Sequence, residues 1–520
     1  AAPAASGDRH VKHSRVLAPY AWRHARVHTP LDSAVVYELH VPSFAATAGA
    51  AHNDGTFATA AAKLHHVAAL GVNVVELMPV FDSCFDPPFG WGYGACSPWA
   101  VSDMLGGPVE LKRFVDAAAA LNMSVWMDVV WNHAGPRTQL REYDGWRGAR
   151  GDGVYFYEDA NHNTPFGPRY NYDDAAVRAY ILDHVRLLHD EYHIDGLRWD
   201  ATVCIRKGGG GACWDQGAPA LPGGQWLLRA ATNLSHALGG YAVAEDNQGD
   251  AALTRAVGDN GGYGFDAQWA YQTFYYELLP QLTEADNDDV NVGAVTDAFT
   301  TRREGGRVVF TENHDTASTQ QKGRVPRIVD PGGHAHAPSY WALKKALMGV
   351  ALALLAPHST PMLLQGQEFV TYAPFAYPSP PALDFSLATA NAGFMNAGVR
   401  ALVVLRKTLA ALRASAPARV AFTVDDAHNK FVAFTRGGGG GGGANNGTVL
   451  VAVNLLNRSF DRYTVRNVPD GRYRLAFNGD AKAISPLFGD VGVDQRFVDA
   501  RNGAVTVALP KYAVLVFVTQ

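Results

Sequence analysis

Three short apolar runs near the start of the chain alternate with two helical stretches. The runs are Ala34-Val-Val-Tyr-Glu-Leu-His-Val41, Val72-Asn-Val-Val-Glu-Leu-Met78 and Ser124-Val-Trp-Met-Asp-Val-Val130; the helical stretches are Thr56–Leu70 and Val109–Leu121. Strand-length runs joined by helix-length crossovers require parallel pairing, because the chain must return to the same end of the sheet each time. Thr56 has the hydroxyl that an N-cap needs, and Gly71 is a stop signal. The rhythm resumes with a helix over Asp174–Glu191 and strands at Gly196-Leu-Arg-Trp-Asp200, Tyr241-Ala-Val-Ala244, Val308-Val-Phe-Thr311 and Thr360-Pro-Met-Leu-Leu-Gln365. Met395–Ala414 is expected to close the set as a helix. This is the pattern of a (β/α)₈ barrel, and 520 residues leave room for a further domain.

Two segments break the pattern. From Trp131 to Asn171 no period survives, so residues 131–173 read as an excursion out of the barrel after its third strand. Beyond Pro417, short alternating runs such as Lys430-Phe-Val-Ala-Phe434, Val449-Leu-Val-Ala-Val453 and Val514-Leu-Val-Phe-Val518 predict an all-β sandwich. The expected division is therefore a junction segment over 1–33, the barrel over 34–416 and the sandwich over 417–520. Gly437–Gly443 reads as a hairpin tip without a catalytic role.

A net charge of −5 gives no electrostatic reason to expect a nucleic-acid partner. The longest apolar stretch, Ala346–Pro357, is too short to span a bilayer and reads as a buried helix. The four cysteines form no CxxC pair, which argues against zinc; Cys84/Cys96 and Cys204/Cys213 can each close a short loop, but free thiols are the favoured reading. The chain opens on Ala1, in keeping with a trimmed or mature form, and no signal peptide is visible.

The chemistry concentrates at strand ends. Asp128 begins Asp128-Val-Val-Trp-Asn-His133, Asp200 ends Gly196-Leu-Arg-Trp-Asp200, Glu245 ends Ala242-Val-Ala-Glu245, and Asp315 ends Phe310-Thr-Glu-Asn-His-Asp315. The C-terminal ends of barrel strands converge on one face, so these carboxylates meet in one pocket. One carboxylate as nucleophile beside one acid of raised pKa is the arrangement glycoside cleavage uses. Any one of these residues alone reads more simply as a helix cap or turn residue. Their co-occurrence with Arg198, His133 and His314 outweighs that reading.

The ordered set Asp-Val-Val-x-Asn-His, Gly-x-Arg-x-Asp-Ala, Ala-Glu-Asp and Asn-His-Asp resembles the four signature regions of the α-amylase superfamily, family 13 of the glycoside hydrolases. The resemblance runs from about Val35 to Leu412. It implies Asp200 as nucleophile, Glu245 as general acid/base and Asp315 as the carboxylate that binds sugar hydroxyls and stabilises the transition state. It also implies substrate-binding roles for Tyr93, His133, Arg198 and His314, with Asp128 supporting Arg198 from the pocket floor. Retention of the α-configuration follows, with the Asp200 and Glu245 carboxyl groups about 5–5.5 Å apart.

Within that superfamily, Tyr37-Glu-Leu-His-Val41, Leu70-Gly-Val-Asn-Val-Val-Glu-Leu-Met-Pro79, Ala244-Glu-Asp246, Pro361-Met-Leu-Leu-Gln-Gly-Gln-Glu368 and Leu383-Asp-Phe385 are closest in wording to α-1,4-glucan branching enzymes. Cys204 stands where many α-amylases carry His or Lys, which weakens a plain amylase reading. Glu191–Asp200 is equally similar to maltooligosyl-trehalose hydrolases, and debranching enzymes share the four regions. The main expectation is a branching transferase; the alternatives are an α-glucan hydrolase and an inactive glucan binder. Residues 1–33 resemble the junction that follows an N-terminal carbohydrate-binding module, and Gly94 replaces the usual Asn after Trp91-Gly-Tyr93. The expected partner is an α-glucan, with no cofactor, no metal and no membrane association, in a monomer with an intracellular location favoured. Asn132 sits where calcium-dependent amylases place a calcium ligand, and Asp144, Asp152, Glu158 and Asp159 lie in the excursion, but a metal-free reading is preferred. Trp91 and Trp99 are candidate sugar platforms, Trp126 is a core residue, and His65 and His66 read as helix-surface residues.

Overall fold

The computed structural model describes residues 17–47, 53–83, 90–142, 153–209, 213–215, 217–283, 287–300, 306–413, 421–437 and 447–520. Eight parallel strands close into a barrel: β1 (Val36–Leu39), β2 (Val74–Leu77), β3 (Ser124–Val129), β4 (Gly196–Trp199), β5 (Tyr241–Ala244), β6 (Ala267–Trp269), β7 (Arg307–Val309) and β8 (Ser359–Leu364). Each strand pairs with its neighbours in sequence, and β8 closes on β1 through Val36↔Met362. Seven of these strands match the runs read from sequence. The eighth, β6, was missed because three residues carry too little period to register.

The crossover helices form where their ends are capped and one face is apolar. α1 (Phe57–Ala69) starts on a reciprocal capping box between Thr56 and Thr59, and buries Phe57, Ala60, Leu64 and Val67 at helical spacing. α2 (Gly107–Ala120) and α3 (Ala175–Arg186) follow β2 and the excursion, and Asp174 caps α3 through the Ala176 and Val177 amides. The apolar Ala346–Pro357 stretch lies mainly within the buried helix α4 (Tyr340–Leu355).

Barrel closure depends on side chains that alternate along each strand. On β4, Gly196, Arg198 and the following Asp200 share one face. A Cβ on Gly196 would lie 2.7 Å from the Trp126 ring, so glycine is needed for β3 and β4 to pack there. Trp126 is fully buried, as its place within a strand implied.

The C-terminal part is all β. Strands β9 (Ala421–Asp426), β10 (Phe431–Arg436), β11 (Val449–Asn454), β13 (Gly471–Asn478), β14 (Phe497–Ala500) and β16 (Ala513–Thr519) form a sheet in the order β9-β10-β11-β16-β13-β14. β12 (Phe460–Arg466) and β15 (Ala504–Leu509) make a second, two-stranded layer. Period-2 alternation sends the two faces of the large sheet to different places. Val432, Phe434, Val451 and Val516 join the barrel's core, while Phe431, Ala433, Leu450 and Phe517 pack with the second layer. Residues 414–420, which hold the expected domain boundary, and 438–446, which hold most of the glycine run, lie outside the described residues.

The cysteine reading needs correction. Cys204 and Cys213 are joined by a disulfide, with Cα atoms 5.0 Å apart, and Cys96 is disulfide-bonded as well. Fold proximity, which spacing alone does not reveal, decides this. Cys84 lies outside the described residues. Among the described residues, no helix is long and apolar enough to cross a membrane.

Candidate active site

All eight residues singled out from sequence meet at the C-terminal mouth of the barrel. Arg198 is the hub. It is fully buried, and its guanidinium reaches Asp128 at 2.7 Å, Asp200 at 2.7 Å and Glu245 at 2.9 Å. The register explains the convergence: Arg198 pairs with Asp128 across β3–β4, Asp200 is two residues further along the same face, and Glu245 follows β5. The Trp269 ring covers the guanidinium 4.2 Å away, so the cation is held by carboxylates and an aromatic face rather than by water. Burial alone would lower the Arg198 pKa, but Asp128 and Glu245 reverse this and raise it well above its ordinary value.

The carboxylates differ in environment. Asp200 accepts from Arg198 at 2.7 Å and from the Asn132 amide at 2.6 Å. Glu245 is deeper; burial pushes its pKa up to about 8 against the pull of Arg198. Its Oε2 accepts from the Ala201 amide at 2.9 Å, an N–H presented because Ala201 takes a left-handed conformation with φ 41°. Asp128 is pushed up to about 6 by burial, and accepts from the Tyr93 hydroxyl at 2.5 Å. Asp315 is the most open of the four, with its side chain 42% exposed, and accepts from Tyr271 at 3.1 Å.

The histidines are held in opposite charge states. Burial lowers His133 to about 4, so it is neutral. For His314 burial acts in the same direction, but Asp315 and Glu38 overcome it and raise the group to about 9. Glu38 accepts from the His314 backbone N–H at 3.0 Å and from Nδ1 at 2.5 Å. The Tyr93 ring lies 5.1 Å from that of His314, nearly parallel to it. Asp200, Glu245, Asp315, Tyr93, His133 and His314 all line one open cleft of about 420 Å³.

Sequence reading missed several contributors. Glu38 was visible only as a carboxylate alternating with Val36 on an inward-facing strand, a signal obscured by its apolar neighbours. Its register partner Glu76 is equally buried, and burial, then Glu38, hold that carboxyl well above the ordinary range. Tyr271, Phe166 and Trp214 had no local pattern to reveal them. Trp99 packs on Tyr180 and His184 and is not among the cleft residues. His66 hydrogen-bonds the buried Glu368 at 2.8 Å and so is not a surface residue. Among the described residues, no group of three or more His, Cys, Asp or Glu is placed to hold a metal ion. Asn132 has both ends of its amide engaged, by Asp200 and His133. Asp144 and Asp152 lie outside the described residues.

Glu38→Gln should cost about 2 kcal/mol, the range for a hydrogen bond to a charged group. Because the His314 pKa is raised by folding, this stabilisation is complete below its unfolded value near 6.5 and fades as pH rises through about 9. The gap between the urea midpoints of the two proteins should be larger at pH 6 than above pH 9.5, where only the bond from the His314 backbone N–H remains at stake. An equal gap at both pH values would sink this account of the pair.

The "Alpha amylase, catalytic domain" family matches residues 39–144, and "Alpha amylase, C-terminal all-beta domain" matches 422–520. The chain carries the catalytic and C-terminal domains of the α-amylase family. A malto-oligosyltrehalose trehalohydrolase of Arthrobacter ramosus is 30% identical over 69% of this chain and 61% of its own length. That of Saccharolobus solfataricus is 27% identical over 72% and 63%. A 1,4-alpha-glucan-branching enzyme of Emericella nidulans is 28% identical over 72% and 55%. The α-amylase-family chain thus matches about three-fifths of these relatives' length. The solved α-amylase of Geobacillus thermoleovorans, complexed with acarbose, shares the fold with a TM-score of 0.67 at 16% identity, covering 95% of this chain and 99% of that one.

Proposed function

We propose that this chain is a retaining α-glucan hydrolase that cleaves malto-oligosyltrehalose in the manner of the trehalohydrolases. The observation that carries the chemistry is one buried guanidinium joining Asp200 to Glu245, with Glu245 protonated at neutral pH by its own burial. Asp200, held by Arg198 and Asn132, attacks the anomeric carbon. Glu245 gives its proton to the departing glycosidic oxygen, so the C–O bond breaks without releasing an alkoxide. Glu245, now ionised, takes a proton from water, which attacks the same carbon from the face the leaving group vacated. The bond to Asp200 breaks, and the α-configuration is restored. Asp315 and His314 bind hydroxyls of the reacting sugar, His133 contacts its other side, and Tyr93 stacks on its ring. Asp128 holds Arg198 and Tyr93 in place. We assign these residues to a catalytic barrel over 34–416, followed by a β-sandwich over 417–520.

Hydrolysis is preferred to transfer because trehalohydrolases outnumber the branching enzyme among the relatives. The branching reading keeps support from that relative and from the wording around Glu245 and Gln365. The two are separated by product analysis. Malto-oligosyltrehalose should yield free trehalose and one new reducing end per cleavage. On amylose, falling iodine colour with constant reducing ends would instead mark a branching enzyme and overturn the hydrolase proposal.

A further inference from the structure

The disulfide closes the loop that follows β4, and that loop carries a large exposed aromatic residue into the cleft. Trp214, directly after Cys213, lines the cleft with 43% of its surface exposed. Its ring contacts Phe166 from the excursion at a centroid distance of 5.9 Å, and Phe166, 50% exposed, contacts His133 at 5.5 Å. Trp214, Phe166 and His133 follow one another through these contacts and line the same cleft as Asp200 and Glu245. An apolar wall of this size left open to water in a cleft is characteristic of a surface that a ligand covers.

The placement of Trp214 is also fixed from beneath. Cys204 and Cys213 are both fully buried and pack with Val203 under the cleft floor. The Gln248 amide donates to the Trp214 carbonyl at 3.3 Å, which ties the residue to the segment that carries Glu245. The neighbouring Asn247 donates to Glu245 itself at 3.3 Å. The Gly209 amide donates to Asn161 of the excursion at 3.0 Å. Trp214 therefore stands beside the segment that carries Glu245, the residue assigned above to protonate the departing oxygen.

We propose that Trp214 and Phe166 form a stacking subsite for a glucose unit on the leaving-group side, and that the Cys204–Cys213 disulfide is the device that positions Trp214. The inference rests on the glucan-binding reading above. The C–H faces of a pyranose suit an aromatic ring, and a ring already held in place loses little entropy on binding. The same disulfide accounts for Cys204 in place of the basic residue: its side chain is committed to the loop and does not reach substrate.

Binding of maltoheptaose by calorimetry tests this in a Glu245→Gln background, where no turnover interferes. Trp214→Ala should raise Kd about tenfold, and Trp214→Phe should stay within about threefold. Cys204→Ser with Cys213→Ser should raise Kd nearly as far as Trp214→Ala, with circular dichroism showing the barrel still folded. Combining it with Trp214→Ala should add little further loss. An unchanged Kd in Trp214→Ala overturns the subsite. A serine pair that binds like its parent overturns the positioning role. If the wild type turns over no α-glucan while these differences hold, the proposed reaction falls and the subsite stands. No binding in any variant overturns both.

Discussion

Asp200→Asn should abolish turnover of α-glucans by at least about four orders of magnitude, the scale seen when a covalent nucleophile is removed. The structure makes this a clean test. Asn is nearly isosteric, and Arg198 keeps Asp128 and Glu245 as partners when the charge at 200 is lost. One contact must suffer. Asp200 accepts from Arg198 with one oxygen and from Asn132 with the other, whereas an asparagine offers only one acceptor. That mismatch costs about 1–2 kcal/mol, so the melting temperature should move by only a few degrees. Activity above a tenth of wild type would show that the nucleophile is another residue. A collapse in melting temperature would show that the loss is one of folding.

Glu245→Gln should lower kcat/KM on natural glucans by about 10²–10⁴-fold, the usual contribution of a general acid. On an aryl glycoside, whose leaving group needs no proton, the first step should suffer much less. The pH profile gives a second, independent reading. Glu245 is raised by folding to about 8, so the donor is protonated below that pH and is lost as pH rises through it. The wild type should therefore show a falling alkaline limb centred near 8 in kcat/KM. Glu245→Gln should lack that limb, because an amide does not titrate in this range. Equal losses on both substrates, or a limb that persists in the variant, would remove Glu245 from the acid role.

The barrel was legible because its information is local. Each strand-helix unit announces itself by a change of period, and a capped start such as Thr56 is written in adjacent residues. The signature carboxylates were legible for a related reason, since a charged residue at the end of an apolar strand stands out against its neighbours. β6 was lost because three residues are too few to display a period. Residues 17–33 had no period at all, yet they are tightly fixed. Trp22 stacks on His193 at 3.9 Å, Arg23 and His24 both bond the buried Asp116, and His28 bonds the buried Asp195 at 2.8 Å. These contacts join residues some 90 to 170 positions apart, so no local pattern records them.

The sequence by itself determined the barrel, the β domain after it, and which carboxylates stand at strand ends, because those features depend on periodicity within each element. Only the tertiary structure decided that Arg198 joins three of the carboxylates, that Glu38 faces His314, that Cys204 is bonded to Cys213, and that Trp214 and Phe166 share one wall. Each of these depends on elements from different parts of the chain meeting at the barrel mouth. Burial there raises Glu245, while Asp315 and Glu38, brought beside His314 against the pull of burial, keep that ring charged; both are properties of the closed fold rather than of any stretch of residues.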